Sequence, residues 1–165
     1  MIDMTWQTVL KRVLTAAMPL LDAENTRWVV IGSVATALQG CRVIPGDIDI
    51  LAMRPEGVYR FAELMSGYAP RKSDLSEDLG NWQSTLEKPV TDVLFDNGFH
   101  WYFGRWFIDG VEVEIAHIID PKGHSTDGIW EAGPEIWPHI KHVQFKGIQI
   151  PVVPLEIQLE TNLQR

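Results

Sequence analysis

Residues 32–50 read GSVATALQGCRVIPGDIDI, and this stretch decides the fold. The run Trp28–Ile31 before it is apolar and β-branched, which indicates a buried strand that ends in a turn at Gly32-Ser33. Val34–Gln39 then has the composition of a short helix, with Ser33 as its N-cap and a glycine after its last turn. The stretch therefore predicts a strand, a tight turn and a helix in succession.

Two carboxylates follow within a second predicted strand, Asp47–Leu51, which begins after the Pro45-Gly46 turn. Strand residues alternate between faces, so Asp47 and Asp49 project to one side and the intervening isoleucine to the other. Neighbouring carboxylates repel each other unless a cation neutralises them. Mg²⁺ is typically held by one or two carboxylates together with substrate phosphates, so the pair predicts a magnesium site.

The Gly32-Ser33 turn predicts the phosphate-binding half of such a site. Backbone N–H groups at the start of a helix bind phosphate, and a glycine lets the phosphate approach the backbone closely.

A third carboxylate is available on a later predicted strand, Val111–Ala116, which returns from a hairpin turn at Asp109-Gly110. Glu112 and Glu114 share a face of this strand. If the strand lies beside Asp47–Leu51, one of the two completes a three-carboxylate cluster, and it is placed to take a proton from an attacking hydroxyl.

The remaining patterns predict a mixture of helices and strands. Apolar residues recur at helical spacing from Met4 to Leu21. Further elements are predicted at Pro55–Met65 (helix), Trp82–Leu86 and Phe99–Ile108 (strands), His142–Phe145 and Ile148–Val153 (a strand pair), and from Pro154 onward (helix). This order predicts an α/β or α+β fold in which helices flank a mixed sheet.

The aromatic segment around residue 101 allows two interpretations. Phe99, Trp101 and Phe103 alternate as the packed face of a sheet would, whereas Tyr102 and Arg105 are candidates for a pocket.

The size and charge of the chain limit the classes of protein to which it can belong. Its 165 residues predict one domain over residues 1–165. Its net charge of −8 disfavours general nucleic-acid binding. It shows no membrane-spanning run and no signal peptide, so a cytoplasmic location is expected. Its single cysteine, Cys41, excludes an internal disulfide and a Cys-rich zinc site.

Taken together, these motifs resemble the nucleotidyltransferase superfamily of DNA polymerase β-like fold, and in particular its small bacterial members allied to antibiotic and minimal nucleotidyltransferases. The resemblance is carried by residues 32–40, by residues 45–50 and by the later strand carboxylate. Residues 150–156 also resemble the strand-to-helix passage of those proteins, so the likeness extends over residues 28–160.

The resemblance implies a nucleoside triphosphate substrate such as ATP, a requirement for Mg²⁺ with Mn²⁺ as its substitute, and transfer of a nucleoside monophosphate to a hydroxyl. Gly32 and Ser33 match the turn that holds the triphosphate, and Asp47 and Asp49 match the first two metal ligands. Glu114 matches the third metal ligand, with Glu112 as the alternative. The Arg-Asp pattern of tRNA-maturing members is absent, which argues against tRNA 3′-end addition.

The acceptor is not specified by the sequence: a small molecule or a partner protein is expected, and a homodimer is a further possibility. The alternative function is a non-catalytic nucleotide- or metal-binding module, or an interaction protein such as a toxin–antitoxin component, that reuses the fold.

Overall fold

The computed structural model describes residues 5–72, 80–122 and 128–163. Over these residues the helices are α1 (Thr5–Ala17), α2 (Gly32–Leu38), α3 (Pro55–Leu64) and α4 (Leu155–Leu163). The strands are β1 (Trp28–Ile31), β2 (Asp47–Ala52), β3 (Thr91–Leu94), β4 (His100–Ile108), β5 (Val111–Ile119), β6 (Lys141–Phe145) and β7 (Ile148–Val152). Short 3₁₀ turns occur at Met18–Asp22, Glu24–Thr26, Ser66–Tyr68 and Pro134–His139.

All the described strands join one mixed sheet in the order β3-β4-β5-β2-β1-β7-β6. β2 lies at its centre, antiparallel to β1 and parallel to β5. β4 and β5 form a long antiparallel hairpin, as do β6 and β7. The parallel pairing of β2 with β5 is what places two strands that are distant in the sequence side by side.

Alternation along β2 divides the core into two clusters. Ile48 and Ile50 are buried with α1 and α3 in the larger cluster. Leu51 lies on the other face, in a smaller cluster with Ile136 and Ile157. Because residues two apart share a face, Asp47 and Asp49 lie on the same side as Leu51, where the covering layer leaves the start of β2 only partly buried.

Both predicted hairpins are confirmed at their turns. Asp109 and Gly110 have φ values of 50° and 81°, and Lys146 and Gly147 have φ values of 45° and 87°. Two consecutive residues with positive φ form the type I′ turn, whose twist matches that of the flanking strands.

Three local predictions differ from the structure. The N-cap of α2 is Ile31 rather than Ser33, because the helix begins at Gly32 and Ser33 lies inside its first turn. Trp82–Leu86 is not a strand: this segment lies along β4, with the Ser84 N–H donating to the Arg105 carbonyl, while Thr91–Leu94 forms the ladder with β4. The first helix is also shorter than predicted, since the chain changes to a 3₁₀ turn at Met18, and Met4 lies outside the described residues.

The α+β class and the mixed sheet flanked by helices are confirmed. Within the described ranges, no helix has the length and apolarity that crossing a membrane requires.

Gly104 on β4 provides a test of the larger cluster. A Cβ at this position would lie 2.4 Å from Cη2 of Trp106, whose side chain is fully buried against Phe61. We expect Gly104→Ala to lower the free energy of unfolding by about 1–3 kcal/mol, measured by urea denaturation, because a packed core resists added volume. Gly67→Ala is the control, since its Cβ would meet no atom within 4 Å and is expected to change stability by less than about 0.5 kcal/mol. Equal effects of the two substitutions would contradict the close packing of Trp106 against Gly104.

Candidate functional site

Four carboxylates lie together where β2 and β5 begin. The parallel register pairs Asp47 with Glu112 and Asp49 with Glu114, and all four side chains are half-buried on one face of the sheet. Both strands alternate acidic with apolar residues, so the apolar members anchor each strand in the larger cluster and turn the acids to the opposite face. The structure thus brings together Asp47, Asp49 and both candidates for the third carboxylate.

Gly32 lies directly against this cluster. β1 pairs Ile31 with Asp49, so the chain enters α2 beside the Asp49 carboxylate. Gly32 has φ +68°, and a Cβ built on it would lie 2.8 Å from Asp49 Oδ2. A side chain here would be strained by the backbone and would displace the carboxylate, so the position requires glycine. Ser33, half-buried, follows in the first turn of α2.

Burial and the proximity of other acids raise the pKa values of Asp49, Glu112 and Asp47. Burial, reinforced by the charge of Asp47, raises the pKa of Asp49 from 3.8 to about 6. The hydrogen bond that Glu112 shares with Glu114, together with burial, raises the pKa of Glu112 to about 7. Burial and the charge of Glu112 also raise the pKa of Asp47. The cluster therefore carries more negative charge than its surroundings compensate.

Arg105 supplies the positive charge that contacts the cluster. It lies opposite Glu114 in the β4–β5 register, with Nε 2.7 Å from Glu114 Oε1 and 3.0 Å from Glu112 Oε1. Its Nη1 donates to the Trp82 carbonyl at 2.9 Å, and its guanidinium lies over the ring of Phe103. The segment before β3 and the β4 strand together hold this side chain, which is 13% exposed.

The donor set fits a hard divalent cation, since it consists of carboxylate oxygens in excess of the available positive charge. In the side-chain arrangement of the described residues, no group of three His, Cys, Asp or Glu side chains is set to hold a metal ion. Within the described chain, Arg105 forms ion pairs with Glu112 and Glu114 and so partly neutralises those two carboxylates. Asp49 also shares a hydrogen bond with Glu114, and among the described residues neither Asp47 nor Asp49 forms an ion pair.

The structure separates the two pocket candidates, Arg105 and Tyr102. Arg105 reaches the carboxylates, whereas Tyr102 lies on the opposite face of the sheet, stacked on His100 and near His117. Phe103 is buried beside Trp82, as the packed-face interpretation predicts, and Trp101 is half-buried.

Two buried polar residues near the site were not singled out from the sequence. Glu131 is 8% exposed, and its charge contributes to the raised pKa of Asp49; Gln158 of α4 is 4% exposed and donates a hydrogen bond to the Gly32 carbonyl. The available signal was weak: Gln158 and Thr161 are polar at helical spacing on the buried side of α4.

Comparison with known proteins gives one informative match. No family model and no curated protein matches the chain. Among solved structures, the chain is similar to the crystal structure of a proposed nucleotidyltransferase (TM1012) from Thermotoga maritima, with 28% sequence identity and a TM-score of 0.69. The similarity covers 99% of this chain and 86% of that protein. It confirms the fold and the resemblance to the nucleotidyltransferase superfamily.

The raised pKa of Asp49 predicts a pH-dependent loss of stability in the absence of divalent cations. The folded protein holds a proton on Asp49 at pH values where the unfolded chain has released it, so stability is fully present below about pH 4 and is lost as the pH rises through about 6. We expect Asp49→Asn to raise the free energy of unfolding at pH 8 by about 1–3 kcal/mol, measured by urea denaturation, and to have a smaller effect at pH 5.

The exposed Asp22→Asn is the matched control and is expected to change stability by less than about 0.5 kcal/mol at either pH. If the Asp49→Asn protein were less stable than wild type at pH 8, the inference that Asp49 carries unfavourable negative charge would be wrong.

Arg105 is predicted to be a structural requirement of the cluster. Arg105→Met keeps the aliphatic part of the side chain but leaves Glu112 and Glu114 without their cation. We expect a loss of about 2–4 kcal/mol in the free energy of unfolding at pH 7.5, because removal of one partner leaves charges partly buried and unpaired.

The comparison variant is Arg12→Met, which removes an exposed ion pair with Asp109 and is expected to cost less than about 1 kcal/mol. Similar losses in the two variants would mean that Arg105 does not compensate the cluster.

Proposed function

We propose that this protein is a Mg²⁺-dependent nucleotidyltransferase that transfers a nucleoside monophosphate from a nucleoside triphosphate to an acceptor hydroxyl and releases pyrophosphate. The observation that carries the proposal is the meeting of Asp47 and Asp49 with the Gly32 backbone on one side and with Glu112 and Glu114 on the other. The similarity to a proposed nucleotidyltransferase supports the same reaction class.

Asp47 and Asp49 would hold the metal ion, with Mn²⁺ as a substitute for Mg²⁺. When bound, the ion supplies Lewis-acid stabilisation of the negative charge that develops on the phosphates. β2 fixes both carboxylates on one face of the sheet. A bound cation would relieve the repulsion between them.

Gly32 and Ser33 would bind the triphosphate. The absence of a side chain at Gly32 lets a phosphate approach the backbone next to the Asp49 carboxylate, where a residue with a Cβ would obstruct it. The phosphates and the metal ligands would then lie together at the start of β2, as a substrate that binds with its cation requires.

Glu114 is the preferred third carboxylate, with Glu112 as the alternative. Glu114 stands directly beside Asp49 and is the less exposed of the two, 20% against 32% for Glu112. In the reaction, the acceptor oxygen bonds to the α-phosphorus while its proton passes to this carboxylate. The bond from the α-phosphorus to the bridging oxygen breaks, and pyrophosphate leaves with the electron pair. Arg105 would keep Glu114 oriented toward Asp49.

A second candidate function is nucleotide or metal binding without transfer, as in an interaction protein or a toxin–antitoxin component that reuses the fold. The observation that favours it is the engagement of both glutamates by Arg105. For the enzyme, the acceptor is proposed to be a small molecule or a partner protein, since the acidic chain disfavours general nucleic-acid binding.

Nucleotide binding is tested by thermal shift with ATP, GTP, CTP and UTP, each with and without Mg²⁺. A ligand present at a hundred times its dissociation constant stabilises the folded state by about 2.7 kcal/mol, so we expect a Mg²⁺-dependent rise in Tm of roughly 5–10 °C for the preferred nucleotide. The rise should vanish in Asp49→Asn and persist in Asp22→Asn.

Pyrophosphate release with candidate acceptors then separates the two functions. Binding with transfer supports the enzyme, and binding without transfer to any acceptor class favours the non-catalytic module. The absence of a shift with all four nucleotides would reject both nucleotide-dependent functions.

A further inference from the structure

Gln158 of α4 is buried at the back of the Gly32 turn with all its polar atoms paired. Its Nε2 donates to the Gly32 carbonyl at 2.9 Å and to Glu131 Oε2 at 3.3 Å. Its Oε1 accepts a hydrogen bond from Thr36 Oγ1 at 3.2 Å. A glutamine that is 4% exposed and bonded at both ends of its amide is fixed in one orientation.

Glu131 determines which way the amide of Gln158 faces. The Glu131 carboxylate and the Gly32 carbonyl both accept from Gln158 Nε2, so the NH₂ group faces the two and gives one hydrogen to each. Glu131 is held in turn by α4, because its backbone N–H donates to Thr161 Oγ1 at 2.8 Å. Glu131, which precedes Pro134, and Gln158 of α4 therefore act together on Gly32.

The Gly32 backbone lies next to the Asp49 side chain, since a Cβ built on it would lie 2.8 Å from Asp49 Oδ2. Gly32 has a φ of +68°, a conformation that glycine adopts freely and can also leave freely. Hydrogen bonds to its carbonyl, from Gln158 Nε2 at 2.9 Å and from Thr36 Oγ1 at 3.2 Å, select one orientation of the peptide and hence the direction in which the Ser33 N–H points.

We propose that Gln158 is a positioning residue for nucleotide binding, which holds the Gly32 peptide against Asp49 through an amide whose orientation Glu131 fixes. The inference rests on the proposed function for its ligand, a nucleoside triphosphate, but the positioning itself can be measured without ligand.

The chain offers a matched control in Gln39, which joins the other end of α2 to α4. Its Nε2 donates to the carbonyls of Ala35 and Val153 at 2.9 Å, and its Oε1 accepts from the Leu155 N–H at 3.1 Å. Gln39 thus connects the same two helices with as many hydrogen bonds but is remote from Gly32.

The experiment compares Gln158→Leu with Gln39→Leu. We expect Gln158→Leu to raise the Kd for the preferred Mg²⁺–nucleotide, and its KM, by about tenfold, the effect of losing one hydrogen bond that orients a binding group, with a smaller change in kcat. Gln39→Leu is expected to lower Tm similarly while it leaves both constants within about twofold of wild type. Without ligand, amide hydrogen exchange at residues 32–36 should rise in Gln158→Leu more than in Gln39→Leu.

A charge swap separates positioning from packing. In the double variant Gln158→Glu with Glu131→Gln, the new glutamine can donate to the new carboxylate, so the pair is restored, but an ionised residue 158 has no donor for the Gly32 carbonyl. We expect the double variant to recover Tm relative to Gln158→Glu alone and to retain the high KM and the fast exchange at residues 32–36.

The proposal is overturned if Gln158→Leu and Gln39→Leu change nucleotide affinity and exchange equally, or if the swap restores both. If wild type binds no nucleotide, the proposed function fails, and the exchange comparison alone decides whether Gln158 holds Gly32.

Discussion

The repulsion among four carboxylates at the start of two parallel strands is the constraint to which the rest of the site is fitted. The register of β2 with β5 places Asp47 and Asp49 beside Glu112 and Glu114, and a hydrophobic cluster on the other face holds the strands in that register. Arg105 compensates one side of the cluster, and the Gly32 backbone closes the other without adding bulk. The two aspartates form no ion pair among the described residues, and carboxylate oxygens of this kind suit a hard divalent cation.

The site is built in layers of decreasing exposure. The carboxylates are half-buried, Arg105 behind the glutamates is nearly buried, and Gln158 and Glu131 behind Gly32 are buried. Arg105 is bonded to Glu114 and Gln158 to the Gly32 carbonyl, so each buried side chain supports a different part of the site. This arrangement lets a cluster that is unfavourable for folding keep a defined geometry, because preorganised polar groups depend on the residues that support them.

Local patterns predicted the parts of this molecule that depend on neighbouring residues. The alternation in Asp47–Leu51, the two type I′ hairpins and the helix at Pro55 are all encoded within a few residues of where they occur. Trp82–Leu86 was assigned wrongly because a β-rich composition does not reveal whether a partner strand is available. Arg105 was noticed only as a pocket candidate and Gln158 not at all, since their contacts with Glu114 and Gly32 depend on pairing between distant segments. The prediction of a single domain over residues 1–165 stays a prediction.

The parallel β2–β5 pairing also bears on the order in which the chain folds. β1 and β2, or β4 and β5, can pair as neighbours along the chain, but β2 and β5 meet only after the long stretch that contains α3, β3 and β4 has been closed into a loop. Contacts of such sequence separation form late and slow the folding of a domain. The mutual repulsion of the aspartates and glutamates therefore arises only once this late pairing of β2 with β5 has formed.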